Sequence, residues 1–215
     1  MKLFTILLDL LYPPKCVFCA KILKDNETDI CNKCRIDIPE ISGTIRRGEG
    51  NCECYSVYDY KNTVATSIRR FKFHGQQQYS TAYARCIAMK LLREHAEFDV
   101  LSWVPISDKR AKERGYRQSK LLAEAVAQEL RIEAIQTLRK IRDNPAQSSM
   151  KSAAARTRNV KNAYEAISPE HFSGKRVLLI DDVVTSGATL SECSSTLQKA
   201  GAQSVICATL AAVGI

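Results

Sequence analysis

Residues 177–189 read Val-Leu-Leu-Ile-Asp-Asp-Val-Val-Thr-Ser-Gly-Ala-Thr, and no other stretch restricts the fold so tightly. Four apolar residues, preceded by Gly174-Lys-Arg and followed by two acids, describe a strand buried on both faces, as in a parallel sheet covered by helices. A turn rich in Thr, Ser and Gly follows, then helical spacing over Leu190–Ala200 with Gly201 as its stop. A second apolar strand spans Ser204–Val213. Strand, loop, helix and strand in that order form a βαβ unit, so the expected fold class is α/β.

The loop has its own chemistry. Gly187 lets the backbone approach an anion closely, and the amides from Thr185 to Thr189, Ala188 included, face it at a helix N-terminus, where the dipole is positive. The hydroxyls of Thr185, Ser186 and Thr189 can complete a cradle for a phosphate. Asp181 and Asp182 would repel that phosphate, so they face something else: vicinal hydroxyls, a metal ion, or both. A sugar phosphate satisfies each part of this description. The lysine of a Walker A loop is missing, and so is a G-x-G-x-x-G fingerprint. The plainer account, two acids between a core strand and an ordinary capped helix, leaves the ordered Thr-Ser-Gly-x-Thr positions unexplained.

Nine cysteines call for a reducing compartment, because an odd number with six in the first 54 residues does not make a disulfide framework. Cys16-Val-Phe-Cys19 and Cys31-Asn-Lys-Cys34 are two C-x2-C pairs separated by eleven residues. Each pair sets two thiolates on one side of a metal, and together they close a structural four-sulfur zinc site with no position open to water. A redox dithiol is the competing reading. Lys15, Lys21 and Lys33 offset the thiolate charge, and a module of this size is too small to hold itself together without the metal. Cys52-Glu-Cys54 is either an accessory metal pair or, the preferred account, two cysteines at a module boundary. Cys86, Cys193 and Cys207 read as small apolar packing residues.

Of the net charge of +9, most sits centrally: residues 105–161 carry 14 basic and 6 acidic side chains. Such a concentration suits a polyanion, whether phosphate ester or nucleic acid, or else a solvated basic face. No apolar run approaches the roughly 20 residues of a membrane span. Met1–Leu11 is interrupted by Asp9 and followed by Pro13-Pro14, which describes a short amphipathic or buried helix rather than a signal segment. A cytoplasmic location is therefore expected.

Val177–Thr189 resembles the signature by which type I phosphoribosyltransferases bind 5-phosphoribosyl 1-pyrophosphate (PRPP). Further stretches are similar to the ComF family: Leu11-Tyr-Pro-Pro-Lys-Cys16, Ile68-Arg-Arg-Phe-Lys-Phe-His-Gly75, Trp103-Val-Pro-Ile-Ser-Asp-Lys-Arg110, Arg114-Gly-Tyr-Arg-Gln-Ser119, and Arg156-Thr-Arg-Asn-Val160 with Ala163-Tyr164. The resemblance implies that Asp181 and Asp182 serve the PRPP ribose and Mg2+, and that Thr185–Thr189 hold the 5-phosphate. It implies a pyrophosphate loop at Ser107, Asp108, Lys109 and Arg110, after a strand expected over Asp99–Ile106; a basic turn is the alternative. It also places a mobile lid over Gln147–Asn159, where Arg156 and Arg158 contact phosphate or a second polyanion. Arg114, Gly115, Tyr116 and Gln118 open a helix running to about Arg131, either lining the mouth of the site or only capping that helix. His74, His95 and His171 carry no catalytic signal.

The expected organisation is an N-terminal helix and zinc module over residues 1–60 and a phosphoribosyltransferase-like parallel-sheet domain over 61–215. The resemblance implies a PRPP-binding protein of bacterial DNA uptake that transfers phosphoribosyl with release of pyrophosphate. The alternative is a non-catalytic PRPP-sensing adaptor that binds single-stranded DNA or a protein of the uptake machinery. No residue declares itself catalytic, and no element that would recognise an acceptor is legible.

Overall fold

The computed structural model describes residues 13–144 and 153–214; the helix expected over Met1–Leu11 and part of the expected lid, residues 147–152, lie outside them. The strands are β1 (Ile45–Arg47), β2 (Cys52–Asp59), β3 (Val100–Trp103), β4 (Leu138–Lys140), β5 (Tyr164–Ala166), β6 (Arg176–Val184) and β7 (Ser204–Ala212). The helices are α1 (Asn32–Asp37), α2 (Asn62–Phe73), α3 (Tyr79–Arg93), α4 (Asp108–Arg114), α5 (Gln118–Leu130), α6 (Ala153–Val160) and α7 (Ala188–Lys199).

The main sheet has the order β1-β2-β7-β6-β3. Four of its strands are parallel, and β1 is an antiparallel edge on β2. Strands β4 and β5 form a separate antiparallel pair. Helices α3 and α5 cover one face of the main sheet, while α7, with α6 beside it, covers the other. The alternation along β6 shows why both faces need cover. Leu178 and Ile180 enter one apolar cluster with Phe71, Tyr83 and Leu122, whereas Val177 and Leu179 enter the other with Leu138, Phe172 and Leu197.

The cysteine module shares the first of these clusters. Phe18 meets the Tyr58 ring edge-on at 5.2 Å and stacks near Tyr83 at 6.4 Å. Ser67 of α2 donates to the Val17 carbonyl, and Arg70 donates to the carbonyls of Val17 and Phe18. Residues 52–59, grouped by sequence with the N-terminal module, form β2 and pair with β7 inside the sheet.

Several boundaries differ from expectation. Strand β6 runs through Asp181 and Asp182 to Val184, because β7 is long enough to pair with it as far as Ala212. Strand β3 is shorter than Asp99–Ile106, since Pro105 cannot donate to a ladder. Ser107–Arg110 is not an open loop: Ser107 caps α4, its hydroxyl accepting from Arg110 N at 3.4 Å. Arg114 ends that helix, Gly115 closes it in the left-handed conformation (φ 79°), and only at Gln118 does α5 begin.

Candidate functional site

A cavity of about 380 Å³ opens where β6 gives way to α7. Asp181 and Asp182 lie on its floor with Thr185, Gly187, Ala188 and Thr189. Ser119 Oγ donates to Asp181 Oδ1 at 2.8 Å, and Asp182 N donates to the same oxygen at 2.9 Å. Lys72 Nζ pairs with Asp182 Oδ1 at 2.7 Å. Burial pushes the Asp181 carboxyl well above the usual carboxylate range, and the neighbouring Asp182 charge pushes it the same way.

Gly187 is the N-cap of α7 with φ 79°. A Cβ there would lie 2.6 Å from both Arg47 Cβ and Gly48 N. The turn between β1 and β2 therefore packs directly behind the loop and fixes its shape, and no side chain fits between them. Ser186 Oγ is buried with no hydrogen-bond partner. Ser186 does not line the cavity, whereas Thr185, Gly187, Ala188 and Thr189 do, at the N-terminus of α7 where the dipole is positive.

The four residues of the expected pyrophosphate loop part company. Arg110 lines the cavity and donates to the Asn144 carbonyl at 2.7 Å. Ser107 donates to Asp143 at 2.5 Å, and Lys109 lies 4.0 Å from that same carboxylate. Asp108 pairs with Arg117 at 2.6 Å beside a second cavity. Arg114 and Arg156 line the main cavity; Arg158, on α6, is exposed and does not.

Sequence reasoning missed one whole wall. Tyr60, Arg69, Lys72 and Phe73 reach the cavity from β2 and α2. The stretch Ile68–Gly75 carries the family resemblance without marking these residues as site residues, and His74, read as without catalytic signal, is exposed and does not line the cavity. Lys140 and Tyr164 arrive from the small β4–β5 sheet, the ammonium 5.3 Å from the ring centroid. Burial and the nearby Arg110 charge lower the Lys140 pKa. Beyond Val104–Ile106 the second cavity, about 230 Å³, holds Arg117, Lys120, Arg139 and the indole of Trp103, with Lys120 Nζ 5.8 Å from that ring.

In the N-terminal module the sulfurs of Cys16, Cys19, Cys31 and Cys34 all lie within 4.8 Å of one another. Four sulfurs bound to zinc at about 2.3 Å would stand roughly 3.8 Å apart, so the donor set and its spacing fit a closed structural zinc site. It is the only such cluster among the described residues. Cys52 and Cys54 sit instead on β2 in the second apolar cluster, with Cys52 Sγ 3.1 Å from Cys207 Sγ and 3.3 Å from Ser194 Oγ. Their place is in the core, not at a metal.

Residues 117–215 match the phosphoribosyl transferase domain family, and residues 7–54 match the double zinc ribbon domain family. The chain is 26% identical to "Competence protein F" of Haemophilus influenzae, over 89% of this chain and 93% of that protein. It is 31% identical to "DNA utilization protein YhgH" of Salmonella typhi, over 72% of this chain and 71% of the other. The chain belongs to the ComF family. A further member, "Competence protein ComFC" of Bacillus subtilis, is 26% identical over 88% of this chain and 86% of its own length. Within this ComF chain the two matched regions are the two places where the donor chemistry concentrates: the thiolate cluster, and the carboxylates with their phosphate loop. No described helix is long and apolar enough to cross a membrane.

Proposed function

We propose that this chain binds PRPP in the cavity at the end of β6 and serves the uptake or use of DNA, as the names of its relatives suggest. The observation that carries the reading is one juxtaposition. The loop residues Thr185, Gly187, Ala188 and Thr189 line the same cavity as two carboxylates and the cations Arg110, Lys140 and Arg156, at the N-terminus of α7. Thr185–Thr189 take the 5-phosphate, Asp181 and Asp182 take the ribose hydroxyls, and the cations take the pyrophosphate. Mg2+ entering with PRPP would lie against the carboxylates and neutralise part of the pyrophosphate charge. Phosphoribosyl transfer from such a complex breaks the bond from C1 to the pyrophosphate oxygen, which leaves with the electron pair. A nucleophilic atom of the acceptor bonds to C1 and gives its proton to solvent. The chain's own part is to position the ribose and stabilise charge. Thiols that stay reduced fit a cytoplasmic setting.

Calorimetry with PRPP and Mg2+ tests this. The wild type binds, and the Asp181→Asn, Asp182→Asn variant loses binding while unfolding as cooperatively as before. Unchanged affinity in the variant removes the assignment. A second reading, the adaptor for single-stranded DNA, has support in the neighbouring cavity, where Arg117, Lys120 and Arg139 surround Trp103. It requires a steep salt dependence of DNA binding that flattens in Arg117→Ala, Arg139→Ala.

A further inference from the structure

Helix α2 faces two sites at once. On one side Ser67 donates to the Val17 carbonyl, and Arg70 donates to the carbonyls of Val17 and Phe18. Those two residues form the turn between Cys16 and Cys19, the first pair of the thiolate cluster. On the neighbouring side Arg69, Lys72 and Phe73, three and four residues apart, line the β6 cavity, where Lys72 Nζ lies 2.7 Å from Asp182 Oδ1. The apolar seat of the helix is shared in the same way. Ile68 and Phe71 belong to one cluster with Phe18, and the Tyr83 ring joins them, edge-on to Phe71 at 5.4 Å and stacked near Phe18 at 6.4 Å. Ser67 Oγ also lies 2.6 Å from the Tyr83 hydroxyl.

We propose that zinc in the N-terminal module sets the affinity of the β6 cavity for PRPP, with Arg70 as the positioning residue that links the two sites. The inference rests on the PRPP reading above and adds its control. Two arguments carry it. The first is charge. Four thiolates around one Zn2+ leave about two net negative charges. Arg70 reaches the turn between two of those thiolates, its Nε is buried without a hydrogen-bond partner, and among the described residues no carboxylate pairs with it. The metal-loaded cluster supplies the counter-charge that Arg70 lacks elsewhere. The second argument is order. A C-x2-C turn keeps its shape through the metal, so the carbonyls that anchor α2 are fixed by zinc. With α2 held, the wall of Arg69, Lys72 and Phe73 stands ready, and PRPP binds without first ordering it. A separate tie between module and core bypasses α2: Arg85 of α3 lies 2.5 Å from Asp29 and 3.2 Å from Glu129 of α5.

Calorimetry with PRPP and Mg2+, on the full chain with stoichiometric zinc and after its removal, tests the proposal. Zinc loss should weaken PRPP at least about fivefold, the lower end of ordinary coupling between sites. Arg70→Met, still loaded with zinc, should weaken PRPP by a similar factor, whereas Arg85→Met should leave PRPP affinity and its dependence on zinc as in the wild type. Coupling is reciprocal, so at constant Mg2+ PRPP should tighten zinc against a competing chelator by about the same factor in the wild type, and less than about twofold in Arg70→Met. A zinc site that only keeps the chain folded would couple equally in both. Should Arg70→Met fail to fold, Ser67→Ala, which removes the neighbouring bond to Val17, should lower the coupling in the same direction. PRPP affinity independent of zinc, coupling undiminished by either substitution on α2, or coupling lost in Arg85→Met each overturns the inference. A zinc-loaded wild type that fails to bind PRPP overturns the reading beneath it instead.

Discussion

The close seat of Gly187 against the β1–β2 turn can be measured as a difference between two glycines. Gly187 and Gly115 share φ 79°, so alanine at either meets the same backbone penalty, about 1–2 kcal/mol for an L-residue in the left-handed region. Their surroundings differ. Nothing lies within 4 Å of a Cβ built at Gly115. At Gly187 that atom meets Arg47 Cβ and Gly48 N at 2.6 Å and the Arg47 carbonyl carbon at 2.7 Å, mostly backbone that cannot swing aside. Overpacking of this kind adds about 1–3 kcal/mol. Gly187→Ala should therefore lose about 2–5 kcal/mol in urea unfolding, and Gly115→Ala only about 1–2 kcal/mol. Because relief of the clash can come only by moving the loop, Gly187→Ala should also lose at least tenfold in PRPP affinity by calorimetry. Equal losses of stability in the two variants would refute the claim that the hairpin holds the loop from behind.

Cys16→Ser should bind no stoichiometric zinc by metal analysis. It should raise hydrogen exchange in α2 as well as in the module, since Ser67 and Arg70 hold the Val17 and Phe18 carbonyls; full metal content would contradict the four-thiolate site. Lys72→Met removes the cation beside the buried Asp181–Asp182 pair and so pushes the Asp181 pKa, already raised by burial, further above the unfolded value. Its stability relative to wild type should then be nearly normal at low pH and fall as pH rises through that raised pKa, by about 3–5 kcal/mol at most, so equal losses at pH 5 and pH 8 would refute the pairing. Asp99 is the opposite case. Arg176, bonded to both of its oxygens, holds its pKa down to about 2, so its contribution is present above the ordinary aspartate value of about 3.9 and lost as pH falls through about 2. Asp99→Asn should show a shallower acid limb in thermal unfolding between those values, and an unaltered limb would remove the ion pair from the account.

The parts of this protein that were legible in sequence are those whose chemistry is local. The β6 strand, the Thr185–Thr189 loop and α7 follow one another along the chain, and two C-x2-C knuckles announce a metal by spacing alone. Where the loop lies against the β1–β2 turn was not legible, because that contact joins Gly187 to residues 140 positions earlier. Lys72 escaped for the same reason: a lysine on a helix carries no mark of the carboxylate it will meet across the cavity. For Gln118 the sequence left two readings open, the mouth of the site or a helix cap, and its place in the cavity is fixed only once Gly115 has turned the chain. Cys52 and Cys54 offered a metal spacing only as the less favoured reading, and on a strand that spacing sets two thiols on one face of the sheet.

The sheet order also sets a timetable for synthesis. Strand β2 is flanked by the short edge β1 and by β7, and the buried contact between Ser56 and Thr209 joins residues 153 apart. During translation β2 must wait for almost the whole sheet to emerge before its principal partner exists. Closing so long a loop is slow, and an apolar strand that waits unpaired is open to wrong partners. A metal-closed module just ahead of β2 can fold early from local ligands, and it places Phe18 where Tyr58 will settle. A zinc knuckle closed early in this chain would offer β2 a docking site at Phe18 before β7 is available.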